Sequence, residues 1–218
     1  MGKEKKICVI DFKLGNLFSV LQALKNTGLD AKISTEVQDI LDADALVLPG
    51  VGAFRDAMKN LDNLNLIQPL MDSVQNGKPL LGICLGLQLL FKESEEFGLS
   101  KGLGLIQGRV TRFNSVNSEG NARKVPHIGW NQIHSPNNSS WSSSPLDKTQ
   151  KDEFMYFVHS FYVDPAEEVV LSETVYDGQR FVSSILKENI FACQFHPEKS
   201  GTNGLNIYNR WAEMNKLK

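Results

Sequence analysis

Cysteine is scarce in this chain: Cys8, Cys84 and Cys193 are the three present, far apart in the sequence. An odd count with no close pair excludes a disulfide framework and a structural zinc site. An excess of charge of either sign is also missing. Lys and Arg number 23 against 25 Asp and Glu, for a net −2, which offers no basic face to nucleic acid or to an anionic membrane. Long apolar runs are absent, since none approaches the ~20 residues that cross a bilayer. The basic start MGKEKK leads only into ICVIDF, too short for a secretory segment. No G-x-x-x-x-G-K-[ST] phosphate loop occurs. These absences leave a cytoplasmic enzyme or a cytoplasmic binding protein. The 218 residues, 41% of them hydrophobic, suffice for one domain over residues 1–218 with a full core.

The first half alternates. Residues 5–12 (KKICVIDF) read as a buried strand, 17–26 as a helix ending before Gly28, and 31–34 as a second strand. ALVL at 45–48 is a third strand, stopped by Pro49. Helical spacing over 54–76 breaks near Asn65, 80–84 is the next strand, and 87–91 opens the next helix. Strands alternating with helices predict an α/β fold, an open and mostly parallel sheet with helices on both faces. After Gly98 the pattern changes to short strand-like runs (GRVTRF, FMYFVHSFYV, VVLSETVYDG, RFVSSILKENI, FACQFHP) with Asp177-Gly178 and Glu188-Asn189 as hairpin turns. The second half therefore adds antiparallel strands. Residues 135–153, polar and serine-rich, read as a surface loop. They include Asn137-Asn138-Ser139, a glycosylation pattern without meaning in a cytoplasmic protein.

One cysteine stands out. In Gly82-Ile83-Cys84-Leu85-Gly86, Cys84 sits where a buried strand turns sharply into a helix. This is the G-x-C-x-G counterpart of the nucleophile elbow. Glycines there allow strand and helix backbones to approach closely. The turn lifts the sulfur above the carboxyl end of the sheet, where open α/β folds bind ligands, and a helix N-terminus favours its thiolate. Cys8 and Cys193 lie inside apolar strands and read as core.

A cysteine nucleophile needs a base, and His127, His134, His159 and His196 are the choices. His196 ends a strand-like run and precedes Pro197-Glu198, so a carboxylate two residues on can orient the imidazole. A surface histidine beside a chance glutamate fits that spacing equally well. Pro49-Gly50-Val51-Gly52, directly after a strand of the same sheet, can aim backbone N–H groups at an oxyanion, although glycine turns after strands are common.

PGVGAF, GICLGLQLLF, FVHSF and QFHPEKS occur in that order over nearly the whole chain. Together they resemble the class I (triad) glutamine amidotransferases. DFKLGN and PHIGWN narrow the resemblance to glutaminase subunits that serve histidine biosynthesis. It implies a flavodoxin-like amidotransferase fold and a catalytic triad of Cys84, His196 and Glu198. It further implies oxyanion donors from Val51-Gly52 and Leu85, and contacts to L-glutamine from Gln88, Glu96, Ser160 and Phe161. It calls for no metal and no organic cofactor. The partner it implies is a (β/α)8-barrel cyclase in a heterodimer, with Trp130 as either an interface residue or core. The chain departs from the family pattern at Phe12, Lys13 and Leu87, where tyrosine, glycine and methionine are usual, and in the serine-rich insert. Three alternatives stay open: a paralogous glutaminase feeding a barrel that amidates a sugar, a cysteine hydrolase sharing only the elbow, and a non-catalytic binding subunit.

Overall fold

The computed structural model describes residues 5–117, 119–136 and 140–218. In chain order the elements are β1 (Lys6–Ile10), α1 (Leu17–Asn26), β2 (Asp30–Ser34), α2 (Val37–Asp42), β3 (Ala45–Gly50), α3 (Phe54–Asn63), α4 (Ile67–Gln75), β4 (Leu80–Cys84), α5 (Leu85–Leu89), β5 (Phe91–Ser94), β6 (Ser100–Lys101) and β7 (Ile106–Arg112). The second half adds β8 (His127–Gln132), β9 (Phe154–His159), β10 (Phe161–Pro165), β11 (Val170–Tyr176), β12 (Gln179–Lys187), β13 (Ile190–Cys193), a 3-10 turn (Pro197–Lys199) and α6 (Gly201–Met214). Among the described residues no helix is long and apolar enough to cross a membrane.

Eleven strands form one sheet in the order β2-β1-β3-β4-β13-β12-β10-β7-β5-β6, with β11 paired to β12. The run β2-β1-β3-β4-β13 is parallel throughout. Beyond β13 the pairs β13-β12, β12-β11, β12-β10 and β10-β7 are antiparallel, and β7 then pairs in parallel with β5. The parallel half has two buried faces, as crossover helices require, and its side chains alternate between two cores. Ile7, Val9, Ala45, Val47, Leu81 and Ile83 pack with α1 and α6. Cys8, Ile10, Leu46, Leu48 and Leu80 pack with α2, α3, α4 and α5. Each fully buried aliphatic or aromatic side chain contributes about 1.5–3 kcal/mol relative to exposure. α6 buries Gly204, Ile207, Tyr208, Trp211 and Ala212 on one stripe. A side chain at 204 would strike the Pro197 carbonyl, its Cβ only 1.9 Å away, so glycine there lets α6 close onto the turn that carries Glu198.

The helix break near Asn65 is real: α3 and α4 are separate, and Asn65 takes a left-handed φ of 55° between them. Asp177 and Gly178, at φ 47° and 77°, make the expected hairpin turn. Two expectations need correction. Pro49 does not stop β3, which continues to Gly50 and pairs Pro49 with Ile83 and Gly50 with Cys84. The helix after Cys84 starts at once and ends at Leu89, and Phe91 begins a strand. The described part of residues 135–153 is a loop between β8 and β9, as expected, and it is anchored to the core. Trp141 and Leu146 join the α1/α6 core, the Trp141 indole donates to the Leu171 carbonyl at 2.8 Å, and Asp147 pairs with Arg210 on α6 at 2.7 Å. The pattern at 137–139 lies outside the described residues.

β8 and β9 form a separate antiparallel ribbon. Its inner face carries His127 and His159. Its outer face leaves Ile128, Trp130 and Phe154 about half exposed, so Trp130 is not core.

Candidate active site

Cys84 ends β4 and immediately precedes α5, at φ 54° and ψ −107°. This is a strained conformation for a residue with a side chain, and such strain gathers at functional turns. The flanking glycines act by close approach. A Cβ at Gly86 would lie 1.7 Å from the Leu48 carbonyl oxygen, and one at Gly82 would lie 2.9 Å from the Ala192 side chain. The helix thus drops onto β3, and the sulfur is left at the top of the sheet. All three cysteines are free. Cys8 and Cys193 are buried, and burial pushes their thiols up, to about 11 for Cys8.

His196 follows β13 and Glu198 lies in the 3-10 turn behind it. Nδ1 of His196 meets Oε1 of Glu198 at 2.7 Å, with both side chains almost fully buried. The His196 backbone N–H donates to the Tyr156 carbonyl at 2.9 Å, which ties the main chain at His196 to β9. Nε2 is buried without a conventional hydrogen-bond partner among the described residues, so it remains available for proton exchange. Burial pulls the imidazole pKa down. The Cys84 sulfur, followed by the Glu198 carboxylate, outweighs that and pushes it up to about 10. An imidazolium held between a sulfur and a buried carboxylate is the arrangement of an activated cysteine.

The sulfur opens onto a cavity of about 440 Å³ lined by Val51, Gly52, Leu85, Gln88, Glu96 and the strand from Val158 to Phe161. Every residue expected to touch glutamine or its oxyanion is on that wall, and His196 and Glu198 stand behind the sulfur. The geometry refines several expectations. Gln88 donates from Nε2 to the Phe161 carbonyl and to Gln194 Oε1, each at 3.0 Å. His159 Nδ1 also donates to that carbonyl, at 2.8 Å, so both of its lone pairs are engaged. Glu96 accepts the Phe54 N–H through Oε2 at 2.7 Å, capping α3 while its other oxygen remains for a ligand. Gly52 has a φ of +114°, which a residue with a side chain rarely adopts.

Two other histidines serve the cavity wall. His127 Nδ1 lies 3.1 Å from His159 Nε2. Burial lowers both, to about 4 and about 3, so they are neutral and add no cation beside His196. His134 pairs with Asp152 at the surface. Among the described residues no cluster of His, Cys, Asp and Glu could hold a metal.

The family model for glutamine amidotransferase class-I matches residues 8–212. The chain belongs to that family. The subunit HisH of imidazole glycerol phosphate synthase from Bacillus subtilis (strain 168) is 45% identical over 95% of this chain and 96% of that protein. HisH of Geobacillus thermodenitrificans is 47% identical over 94% of each. Among solved structures, one described as "Crystal structure of glutamine amidotransferase" superposes with a TM-score of 0.72 at 19% identity, covering 96% of this chain and 98% of the other. PurLQS from Thermotoga maritima superposes at 0.71 and 21% identity, covering 99% and 100%. These superpositions establish the amidotransferase fold.

Membership explains one departure. Lys13, where glycine is usual in the family, sits at φ 67°, the left-handed region that glycine takes without strain. Its backbone N–H and ammonium both bond the Asp11 carboxylate, which holds the loop in place. Sequence reasoning missed Gln194. It immediately precedes the F-H-P-E run, but only the fold brings it to the cysteine.

In this amidotransferase, brief treatment with a glutamine-like electrophile is expected to label Cys84 well ahead of Cys8 and Cys193. Both of those are buried with raised thiols, and only Cys84 lines the cavity shared with Gln88, Glu96 and the Val51-Gly52 loop. Peptide mapping reads the result, and equal labelling of the three in folded protein would contradict the elbow.

Proposed function

We propose that this chain, as one cytoplasmic glutamine amidotransferase domain over residues 1–218, is the glutaminase subunit of an imidazole glycerol phosphate synthase. It hydrolyses L-glutamine and passes ammonia to a (β/α)8-barrel cyclase that makes imidazole glycerol phosphate and aminoimidazole carboxamide ribotide. The observation that carries the chemistry is Cys84 on its strained elbow, beside the buried His196–Glu198 pair and facing the cavity. The curated relatives bear the name of the histidine-pathway subunit, which favours that pathway over sugar amidation.

The mechanism follows from the placements. The Cys84 thiolate attacks the carboxamide carbon of glutamine. The carbonyl π electrons move to oxygen, and the N–H groups of Leu85 and of the Val51-Gly52 peptide receive the oxyanion. His196, cationic through Nε2, protonates the departing nitrogen, and the C–N bond breaks to give ammonia and a γ-glutamyl thioester. The neutral imidazole then takes a proton from water, hydroxide attacks the thioester, and glutamate leaves as Cys84 is restored. Glu198 holds Nδ1 throughout. Ammonia in bulk water is mostly protonated and unreactive, so it must reach its acceptor directly. The half-exposed Ile128, Trp130 and Phe154 lie on the same ribbon whose Tyr156 carbonyl holds His196. A barrel seated there would sit next to the ammonia source.

Hydrolysis without an acceptor wastes glutamine, and Gly52 supplies a hinge. Gly50 is fixed in β3 under the Phe12 ring, so the Val51–Gly52 peptide turns about ψ of Val51 and φ of Gly52, where glycine makes the change of φ cheap. The chain by itself is expected to hydrolyse glutamine slowly and to be activated by its cyclase. Replacing Gly52 with valine should lower the activated rate about 10²–10³-fold, the worth of one oxyanion donor, with KM changed little. Steady-state glutaminase turnover with and without the cyclase tests this. A chain fully active alone and unresponsive to the cyclase would refute the switch, and a chain inactive under every condition would refute the glutaminase.

A further inference from the structure

Gln194 is fully buried directly after β13, and its backbone N–H donates to the Ser183 carbonyl at 2.8 Å. An apolar side chain would fill that place without needing partners, whereas a buried amide must have them. Gln194 has two: Nε2 lies 3.6 Å from the Cys84 sulfur and Oε1 lies 3.0 Å from Gln88 Nε2. The two ends of an amide are alike in shape, so chemistry must fix which end faces which neighbour. The Phe161 carbonyl can only accept, so Gln88 must present its NH2 group to it. The same NH2 group reaches Gln194, which must answer with its oxygen. The remaining end of Gln194, the donor, therefore points at sulfur.

We propose that Gln194 is a catalytic hydrogen-bond donor to the Cys84 thiolate, aimed by Gln88 and the Phe161 carbonyl. This rests on the reading of Cys84 as nucleophile. A thiol can donate or accept, but a thiolate can only accept, so a donor fixed beforehand favours the thiolate and sets the sulfur's direction of attack. It acts from the same segment after β13 as His196 but through an uncharged side chain, and it keeps its effect after His196 has given up its proton. The thioester step returns a thiolate as leaving group, so the same donor serves the second half of the reaction. The titratable groups around the sulfur are His196 with Glu198 behind it, Cys193 on β13, His159 on β9, and Glu96 and Lys199 across the cavity. None of them replaces an uncharged donor at this position.

The test is the pH dependence of Cys84 alkylation by iodoacetamide in the full chain, read by peptide mapping. Replacing Gln194 with methionine keeps the bulk and removes the donor. It should move the midpoint up by about one pH unit, the equivalent of about tenfold less thiolate below the midpoint. In the complex with the cyclase, kcat for glutamine should fall about tenfold with KM nearly unchanged. Gln88→Met leaves Gln194 in place but removes what aims it, so a smaller shift in the same direction is expected. A wild-type midpoint in folded Gln194→Met overturns the proposal. If that variant does not fold, a wild-type midpoint in Gln88→Met does so instead. Wild-type protein in which Cys84 reacts no faster than Cys8 and Cys193 would remove the nucleophile reading itself, a separate failure.

Discussion

With alanine at position 84, the complex with the cyclase should lose all glutamine-dependent synthesis and keep synthesis from ammonium salt at alkaline pH. In the proposed mechanism the two arms separate because the sulfur does one thing only. It forms the thioester, and no other group on the cavity wall can replace it, since Cys8 lies in β1 and Cys193 points into the α1/α6 core. Ammonia supplied from solution bypasses that step. Alanine is smaller than cysteine, and Cys84 is at the rim of the core, so assembly with the cyclase should survive. Assaying both arms on one preparation is the check. Loss of both in an assembled complex would show that Cys84 matters for something other than nucleophilic attack.

Replacing Glu198 with glutamine should reduce kcat by up to about 10⁴-fold, the loss seen when the orienting carboxylate of a triad becomes an amide. Glutamine keeps the bulk and a hydrogen bond but removes the charge behind Nδ1, now 2.7 Å away and almost fully buried. The sign of the pH effect follows. The carboxylate is one of the groups that hold the His196 pKa near 10, so without it the imidazolium loses its proton at lower pH. The alkaline limb of the pH profile should therefore move toward neutrality. The pH profile of kcat for wild type and variant reads this directly. An alkaline limb that stays in place would show that the carboxylate does not set the charge state of His196.

The elbow was legible because its cause is local. A strand, a sharp turn and a helix within ten residues demand Gly82 and Gly86, and a Cβ at Gly86 would strike Leu48. The parallel half was legible for a similar reason, as alternating runs in β1, β3 and β4 feed two cores. What escaped was set by distant partners. Gln194 becomes a neighbour of Cys84 only because β13 pairs with β4, across 110 positions in the chain. The serine-rich segment was legible as a surface loop from its polar composition, but not its anchoring, by Trp141 and Leu146 in the core and by Arg210 on Asp147. The helix after Cys84 read as longer because LLF continues the apolar run. Those residues are apolar because they are buried, and burial does not decide between helix and strand. Lys13 shows the reverse case, a residue with a side chain in a glycine conformation, held there by Asp11.

The account stands most directly on a covalent intermediate at one sulfur. Complex turning over labelled glutamine, quenched in acid and digested, should yield a γ-glutamyl adduct on the peptide that contains Cys84. The adduct should disappear in hydroxylamine, as a thioester does, and be absent from Cys84→Ser. Label on Cys8 or Cys193, or steady turnover with no adduct on any cysteine, would contradict it.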